Sequence, residues 1–356
     1  MPMRDGSVPQ AHGLHGWRAP RWLPGGNAQT IWPALWSRRP PLVAWRRERW
    51  PAPDGDFVDV DWLDASDSRA PTLVLLHGLE GSSQSHYALS FAHATARAGW
   101  RCAVPHWRGC SGELNLAPRA YHSGDFEEVA WLLQRLQASA GVRLHVVGVS
   151  LGGNALLRWA AEAGDSAAAS VHALASVSAP LDLAAGGHAI GSGFNKLTYT
   201  RMFLGTMKPK ALAKLAQHPG LFDRQRLLAA RTLYEFDNVF TAPLHGFRDT
   251  DDYWARASAK PHLERIRVPT LAVNARNDPF VPAASLPQEG MVGRAVTLWQ
   301  PAHGGHVGFP GGTFPGHLMT LPDAVMAWLH SAASPQAAST AAHEGHAEAG
   351  WQPEVQ

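Results

Sequence analysis

Cysteine is scarce in this sequence, with only Cys102 and Cys110 among 356 residues. Two cysteines do not build a disulfide framework, and free thiols in a reducing cytosol are the simpler interpretation. Two pairs of histidines, His303 with His306 and His343 with His346, are spaced three residues apart. Neither pair has a cysteine or carboxylate partner at ligand spacing, so we predict no metal site.

The sequence also has little charge. Charged residues make up 17% of the chain, and 31 Lys and Arg against 29 Asp and Glu leave a net charge of +2. The short run "RRERW" at residues 46–50 is the only local concentration of basic residues. This distribution excludes the broad basic surface that nucleic-acid binding requires.

Long hydrophobic runs are missing as well. No window approaches the roughly 18 apolar residues of a membrane span, and the first residues lack the apolar stretch of a signal peptide. We therefore expect a soluble, cytoplasmic protein. Four tryptophans, at positions 17, 22, 32 and 36, lie close together near the start. Packing against the main domain is the predicted role of these side chains, with peripheral contact with a membrane as the alternative.

Short apolar runs alternate with helical patterns through most of the chain. The runs suit strands that are buried on both faces of a sheet, and three amphipathic segments between them each end at a glycine. This alternation predicts an α/β fold with a mostly parallel sheet and helices on both faces. From about Val43 to Leu63, two alternating segments flank "PAPDGD" and predict an antiparallel hairpin at one edge. The six runs are 72–76, 101–106, 144–149, 171–177, 270–275 and 295–299.

No strand is predicted between Pro180 and Ile266. Within this region "PKALAKLAQHPG" and "FDRQRLLAARTLYEFD" have amphipathic, helical patterns. Such an insertion commonly covers the carboxyl ends of the strands, where ligands bind. We therefore expect a helical lid at about 181–265, within one α/β domain at 41–332. Residues 1–40 are expected to pack on that domain. The tail at 333–356 is poor in large apolar residues and is expected to be disordered.

The segment "GVSLGGN" places Ser150 between a predicted strand and a predicted helix. Glycines at 148, 152 and 153 fit the G-x-S-x-G elbow, in which a serine sits on a strained turn that needs small neighbours. A five-residue pattern occurs by chance, but here its context is the one that the motif requires. We predict that Ser150 is a nucleophile; the alternative is an ordinary glycine-rich turn.

"LLHGLEGSS" directly follows the first buried run. In this arrangement, one backbone N–H that stabilises an oxyanion follows the nucleophile, and the other comes from a loop after an early strand. These amides are predicted to be Leu151 and Leu79. His77 is expected to hold the loop rather than to react.

An acid and a base must follow the serine, in that order. "NARNDPF" offers Asp278 and "PAHGGHVGF" offers His306, each just past a predicted strand. His303 competes with His306, but the glycine pair before His306 suits a loop that delivers a histidine. Asp182 is the best substitute for the acid. Weaker acidic candidates lie in the insertion, at Asp237, Asp249, Asp251 and Asp252.

Beyond these motifs, the sequence resembles the YheT-like branch of the α/β-hydrolases. The similar segments include "GGNAQTIWPAL", "HGLEGSSQSHY", "HWRGCSGELN", "GVSLGGNALLRW", "TAPLHGF" and "HGGHVGF", and they cover roughly residues 25–330. The resemblance implies a catalytic triad at Ser150, Asp278 and His306. This agrees with the choice made from the residues themselves.

These observations predict a serine esterase without a metal or organic cofactor, acting on small acyl esters of short or medium chain length. Two alternatives remain. The acyl group could pass to an alcohol instead of water, or the fold could serve as a non-catalytic binding protein. The oligomeric state is left open.

Overall fold

A computed structural model describes residues 17–332 of the chain. The predictions made for the first sixteen residues and for the tail at 333–356 fall outside this range.

The centre of the fold is an eight-stranded sheet with the order β1-β2-β4-β3-β5-β6-β7-β8. Its first two strands form the predicted hairpin, and β2 also runs antiparallel to β4. All remaining pairs are parallel. The strands are β1 (Arg46–Pro51), β2 (Phe57–Leu63), β3 (Thr72–Leu76), β4 (Arg101–Pro105), β5 (Leu144–Val149), β6 (Val171–Val177), β7 (Thr270–Val273) and β8 (Val296–Trp299).

Helices cover both faces of the sheet, as the two-sided burial of its central strands requires. Four of them pack directly on it: α2 (His86–Arg97), α3 (Phe126–Ala140), α4 (Leu151–Ala163) and α12 (Thr320–Ala332). Alternate residues of β3 point to opposite layers. Val74 and Leu76 belong to the layer that includes α3 and α4, whereas Leu73 and Leu75 belong to the layer that includes α2 and α12.

The boundaries of α3 follow from ordinary capping chemistry. Asp125 accepts a hydrogen bond from the backbone N–H of Glu128 at the start of the helix. Gly141 ends it in the left-handed conformation, with φ 69°. Both positions carry residue types that favour these geometries.

Seven helices lie between β6 and β7, in the region expected to form the helical insertion. Helix α6 continues through a π-helical turn, Lys196–Thr200, directly into α7. The backbone N–H of Lys260 donates to the carbonyl oxygen of Leu181 at 2.9 Å, so the two ends of the insertion meet. The helices are α5 (Leu183–Ile190), α6 (Gly193–Asn195), α7 (Arg201–Gln217), α8 (Arg224–Ala229), α9 (Leu233–Val239), α10 (Thr241–Leu244) and α11 (Thr250–Ala257).

The segment "FDRQRLLAARTLYEFD" forms two helices and not a single one, because a new helix start lies inside it. The backbone leaves the helical conformation at Ala230, with ψ 129°. Thr232 then accepts a hydrogen bond from the N–H of Glu235 and caps α9. Thr at an N-cap position followed three residues later by Glu is a helix-start signal that the amphipathic pattern concealed.

The segment before the sheet carries α1 (Gly26–Leu35) and packs on the domain. Trp17 contacts Phe309, and the rings of Trp22 and Trp32 both contact Phe314. These three tryptophans therefore contact aromatic side chains at positions 309 and 314. Trp36 contacts Trp32 but remains 55% exposed.

Candidate active site

Ser150 occupies the sharp turn between β5 and α4. Its backbone has φ 52° and ψ −118°, a conformation that non-glycine residues rarely adopt. The Ser150 N–H donates to the carbonyl oxygen of Val177 at 2.8 Å, and this bond ties the turn to the neighbouring strand. Such strain persists only where the surroundings enforce it, and it is common at functional sites.

The glycines around Ser150 are required because neighbouring atoms leave no room for a side chain. A Cβ at Gly148 would lie 2.5 Å from the carbonyl oxygen of Gly152. A Cβ at Gly153 would lie 2.7 Å from the hydroxyl of Ser176. A side chain at either position would force the strand and helix apart, which explains the residue pattern of the elbow.

His306 lies next to Ser150 and Asp278. Its Nε2 is 3.0 Å from Ser150 Oγ, and its Nδ1 is 2.8 Å from Asp278 Oδ2. With the serine hydroxyl as donor, Nε2 accepts and the Nδ1–H donates to the carboxylate. The three side chains thus form a continuous hydrogen-bonded chain. This is the arrangement by which a histidine removes a proton from a serine.

The orientation of Asp278 is itself held by the fold. Its side chain is fully buried, whereas that of His306 is 10% exposed. Asp278 Oδ1 accepts from the N–H of Phe280 at 2.7 Å, which leaves Oδ2 for the histidine. The Phe280 ring also packs on the imidazole, with centroids 4.3 Å apart.

Helix α1 holds the loops that carry Asp278 and His306. Gln29 Oε1 accepts from the N–H of Gly304 and from the side-chain amide of Asn277. Thr30 Oγ1 accepts from the N–H of His306 at 2.8 Å. Sequence reasoning missed the part played by Gln29, Thr30 and Asn277, because contacts between distant segments leave no periodic signal. The segment "GGNAQTIWPAL", which includes α1, resembles the YheT-like family, and this resemblance is the one feature of the sequence that indicates a role for the helix.

The two amides predicted to bind an oxyanion flank the serine. Leu151 is the first residue of α4, where a backbone N–H has no intrahelical acceptor. The Leu79 N–H likewise has no acceptor among residues 17–332. The loop before Leu79 lies close to the serine, since a Cβ on Gly78 would be 3.2 Å from Ser150 Cβ.

Neighbouring side chains fix this loop. The Trp107 N–H donates to His77 Nε2, so the proton of the neutral ring is on Nδ1. The Nδ1–H in turn donates to the Gly78 carbonyl oxygen. Burial, with a smaller effect of His106, lowers the pKa of His77 to about 3 and keeps it neutral. Tyr87 and Tyr121 accept from the N–H groups of Gly78 and Glu80. His77 therefore holds the loop, as expected from the sequence.

Three of the other candidates, Asp182, Asp249 and His303, have different hydrogen-bond partners. Asp182 accepts from the N–H of Ala185 and caps α5. Asp249 caps α11 in the same way. His303 is exposed, with its Nδ1 3.5 Å from the side-chain amide of Asn277. None of the three contacts Ser150 or His306 among the described residues.

A cavity of about 160 Å³ opens onto Ser150 and His306. Its wall is formed by the loop after β3, by residues 108–123 and by the helical insertion. Most of the lining is apolar, and the insertion contributes Ile190, Phe203, Met207 and Phe236. A mostly apolar cavity of this size beside Ser150 and His306 is suited to the apolar part of a small ligand.

Comparison with known proteins identifies the family. Residues 71–313 match the model of the alpha/beta hydrolase fold. The chain is 40% identical over 309 residues to YheT of Escherichia coli (strain K12), which is provisionally designated an esterase; the match covers 85% of this chain and 89% of YheT.

The chain belongs to the YheT-like branch of the α/β-hydrolases. It is also 30% identical over 307 residues to the phospholipase ABHD3 of Mus musculus, covering 83% of this chain and 73% of ABHD3. Among solved structures, the Pyrococcus furiosus esterase Pf2001 covers 84% of this chain and 99% of its own, with a TM-score of 0.52 and 15% identity. The family assignment makes this protein a carboxylic ester hydrolase. No helix within residues 17–332 is both long and apolar enough to cross a membrane.

Proposed function

We propose that the protein hydrolyses carboxylic esters of short- or medium-chain acids through an acyl-enzyme on Ser150. The observation that carries the proposal is the continuous hydrogen-bonded chain from Ser150 Oγ through the His306 ring to Asp278. A serine hydroxyl is a poor nucleophile until a base removes its proton, and His306 Nε2 is within reach to do so.

In the first half of the reaction, Ser150 Oγ attacks the ester carbonyl carbon while its proton passes to His306 Nε2. Asp278 holds the ring in the required tautomer and stabilises the imidazolium. The backbone N–H groups of Leu79 and Leu151 donate to the oxygen that becomes negative, a contribution of about 3 kcal/mol each in comparable enzymes. The tetrahedral intermediate collapses when His306 returns the proton to the leaving alcohol oxygen.

Water completes the cycle. His306 removes a proton from a water molecule as its oxygen attacks the acyl-enzyme carbonyl, and the same two amides stabilise the second tetrahedral intermediate. His306 then protonates Ser150 Oγ, and the carboxylic acid is released. Every proton that leaves the serine or the water passes through one imidazole ring.

The cavity supports a limit on the size of the substrate. Its volume of about 160 Å³ is close to that of a cavity of about 150 Å³ that accommodates benzene, a six-carbon molecule, in another protein. The proposal therefore places the best acyl chain at about four to eight carbons.

Two measurements test this function. A fluorophosphonate probe should label the wild-type protein at Ser150 and should not label Ser150→Ala. A series of p-nitrophenyl esters from two to sixteen acyl carbons should then show kcat/KM falling beyond about eight carbons. A folded wild-type protein that the probe leaves unlabelled would contradict the nucleophile. A rate that keeps rising to sixteen carbons would contradict the size limit alone.

A further inference from the structure

One carboxylate in the cavity wall is not used by the proposed reaction. Asp237 lies in the last turn of α9 and lines the cavity that Ser150 and His306 share. Its Oδ1 accepts from the Thr241 hydroxyl at 2.6 Å, and its Oδ2 accepts from Trp254 Nε1 at 2.9 Å. An ionised carboxylate has about four acceptor positions, so each oxygen retains capacity for another donor.

No cation forms an ion pair with Asp237 among residues 17–332. The cavity's other carboxylate, Glu80, lies 2.9 Å from Lys210 Nζ and is thereby neutralised. Burial raises the pKa of Asp237 to about 6, against the opposing effect of the hydrogen bonds from Thr241 and Trp254. Its position near a helix C-terminus is also unfavourable for negative charge. Above that pKa Asp237 therefore carries a negative charge without an ion-pair partner. Four cations also line the cavity, but none of them pairs with it: Arg108, Arg119 and Lys210 pair with other carboxylates, and Lys214 donates to the carbonyl oxygens of residues 115 and 117.

The fold itself does not need this charge. An asparagine of the same shape could accept from Trp254 Nε1 through its oxygen and donate to Thr241 Oγ1 through its amide, because a hydroxyl both donates and accepts. The two bonds that join α9 to α10 and α11 would then remain. A charge that the packing does not require, and that its environment disfavours, is explained if a ligand carries the opposite charge.

Aromatic side chains share the cavity wall with this carboxylate. Trp254 donates to it directly, and Phe236 and Phe240 line the same cavity. A carboxylate among aromatic rings attracts substituted ammonium groups, which are large, weakly hydrated cations. We propose that Asp237 forms a subsite for a substituted ammonium group of the ester substrate, an inference that rests on the proposed ester hydrolysis.

Matched pairs of esters test the subsite. Butyrylcholine and 3,3-dimethylbutyl butyrate have the same shape but differ by one positive charge on the alcohol. Ethyl 4-(trimethylammonio)butyrate and ethyl 5,5-dimethylhexanoate place that difference on the acid. We expect the wild-type protein to prefer the cationic member of at least one pair in kcat/KM by about tenfold or more. In Asp237→Asn this ratio should fall towards one.

Asp251→Asn is the matched control. It removes one negative charge from the same insertion at an exposed position, where Asp251 accepts from the Tyr234 hydroxyl and does not line the cavity. This variant should keep the wild-type ratio. The proposal would be overturned if Asp237→Asn left the kcat/KM ratio of the cationic to the neutral ester unchanged. It would also be overturned if both variants lowered this ratio equally.

Binding to Ser150→Ala, measured by calorimetry, separates the subsite from the reaction. This variant cannot form the acyl-enzyme, so the intact esters can be compared directly. Tighter binding of the cationic ester that is lost on adding Asp237→Asn would support the subsite. This holds even if the wild-type protein hydrolyses neither ester. Absence of hydrolysis would contradict the proposed function and not the subsite. Equal affinity for both members of each pair would contradict the subsite.

Discussion

The hydroxyl of Thr30 accepts a hydrogen bond from the backbone N–H of His306 at 2.8 Å, although 276 positions separate the two residues. The same hydroxyl donates to the carbonyl oxygen of Gly26 within α1. One buried side chain thus joins the first helix to the loop that carries the proposed base. The segment before the hydrolase sheet is therefore part of the apparatus that positions His306.

Thr30→Val should lower activity more than it lowers substrate binding. Valine has the same shape but offers no acceptor, so the His306 N–H would lose its partner, a change that typically costs about 1–3 kcal/mol. We expect kcat to fall by about tenfold with a smaller change in KM, and the melting temperature to fall. Thr30→Ser retains the hydroxyl and should restore most of kcat. Failure of serine to restore it would assign the effect to packing.

Asp278→Asn should reduce kcat by about 10⁴-fold, because an amide favours the wrong tautomer of the histidine. Asp182→Asn is the control variant, because asparagine can also accept the hydrogen bond at the N-cap of α5. We expect kcat of this variant to stay within about twofold of the wild-type value. Steady-state kinetics on one p-nitrophenyl ester measure both. A nearly silent Asp278→Asn together with an inactive Asp182→Asn would reverse the assignment of the acid.

Tyr87→Phe should loosen the loop that carries Leu79, the proposed oxyanion donor, without changing a residue that contacts the substrate. The Tyr87 hydroxyl accepts from the Gly78 N–H at 2.9 Å, one residue before Leu79. Removing it leaves that N–H without its partner and loosens the amide beside it. We expect kcat to fall several-fold, on the order of 1 kcal/mol of barrier, with KM little changed. Tyr234→Phe, which removes a hydroxyl bonded to exposed Asp251, should keep the wild-type kcat.

Asp237→Asn should not destabilise the protein at neutral pH. Burial raises the pKa of this carboxyl in the folded state to about 6, above its ordinary value of 3.8. The folded protein therefore binds the proton more tightly than the unfolded chain does, so this group lowers the free energy of unfolding as the pH rises from about 4 to about 6. Denaturant unfolding at pH 5 and pH 8 measures the effect. The variant should gain stability relative to wild type at the higher pH, and a clear loss there would assign the charge to the fold.

The sequence allows the sheet and the serine turn to be predicted because both leave local signals. Runs such as "TLVLL" are apolar without alternation since both faces of β3 are covered. A Cβ on Gly148 would meet the backbone of Gly152, and one on Gly153 would meet the Ser176 hydroxyl, so the elbow requires both glycines. The pairing of Asp278 with His306 can be predicted from the sequence because each residue follows a recognisable strand, in the chain order that the fold requires.

Other features depend on contacts that no local pattern records. Gln29 bonds to the loops around Asn277 and Gly304, more than 240 positions away. The insertion was expected to be helical, but the division between α8 and α9 depends on one cap at Thr232. The sequence marks Asp237 only as a rival acid, because the lack of an ion-pair partner for it within residues 17–332 depends on three-dimensional packing.

The bond between Lys260 and Leu181 closes the helical insertion where it leaves and rejoins the sheet. The strands that present Ser150, Asp278 and His306 continue on either side of this closure, whereas residues such as Phe236 and Asp237 lie within it. Exchange of residues 182–259 as one segment would therefore change the cavity wall, and it would also remove Asn195, whose side-chain amide donates to the carbonyl oxygen of Pro279 next to Asp278. The helical insertion thus contributes both to the cavity and to the position of the loop that carries Asp278.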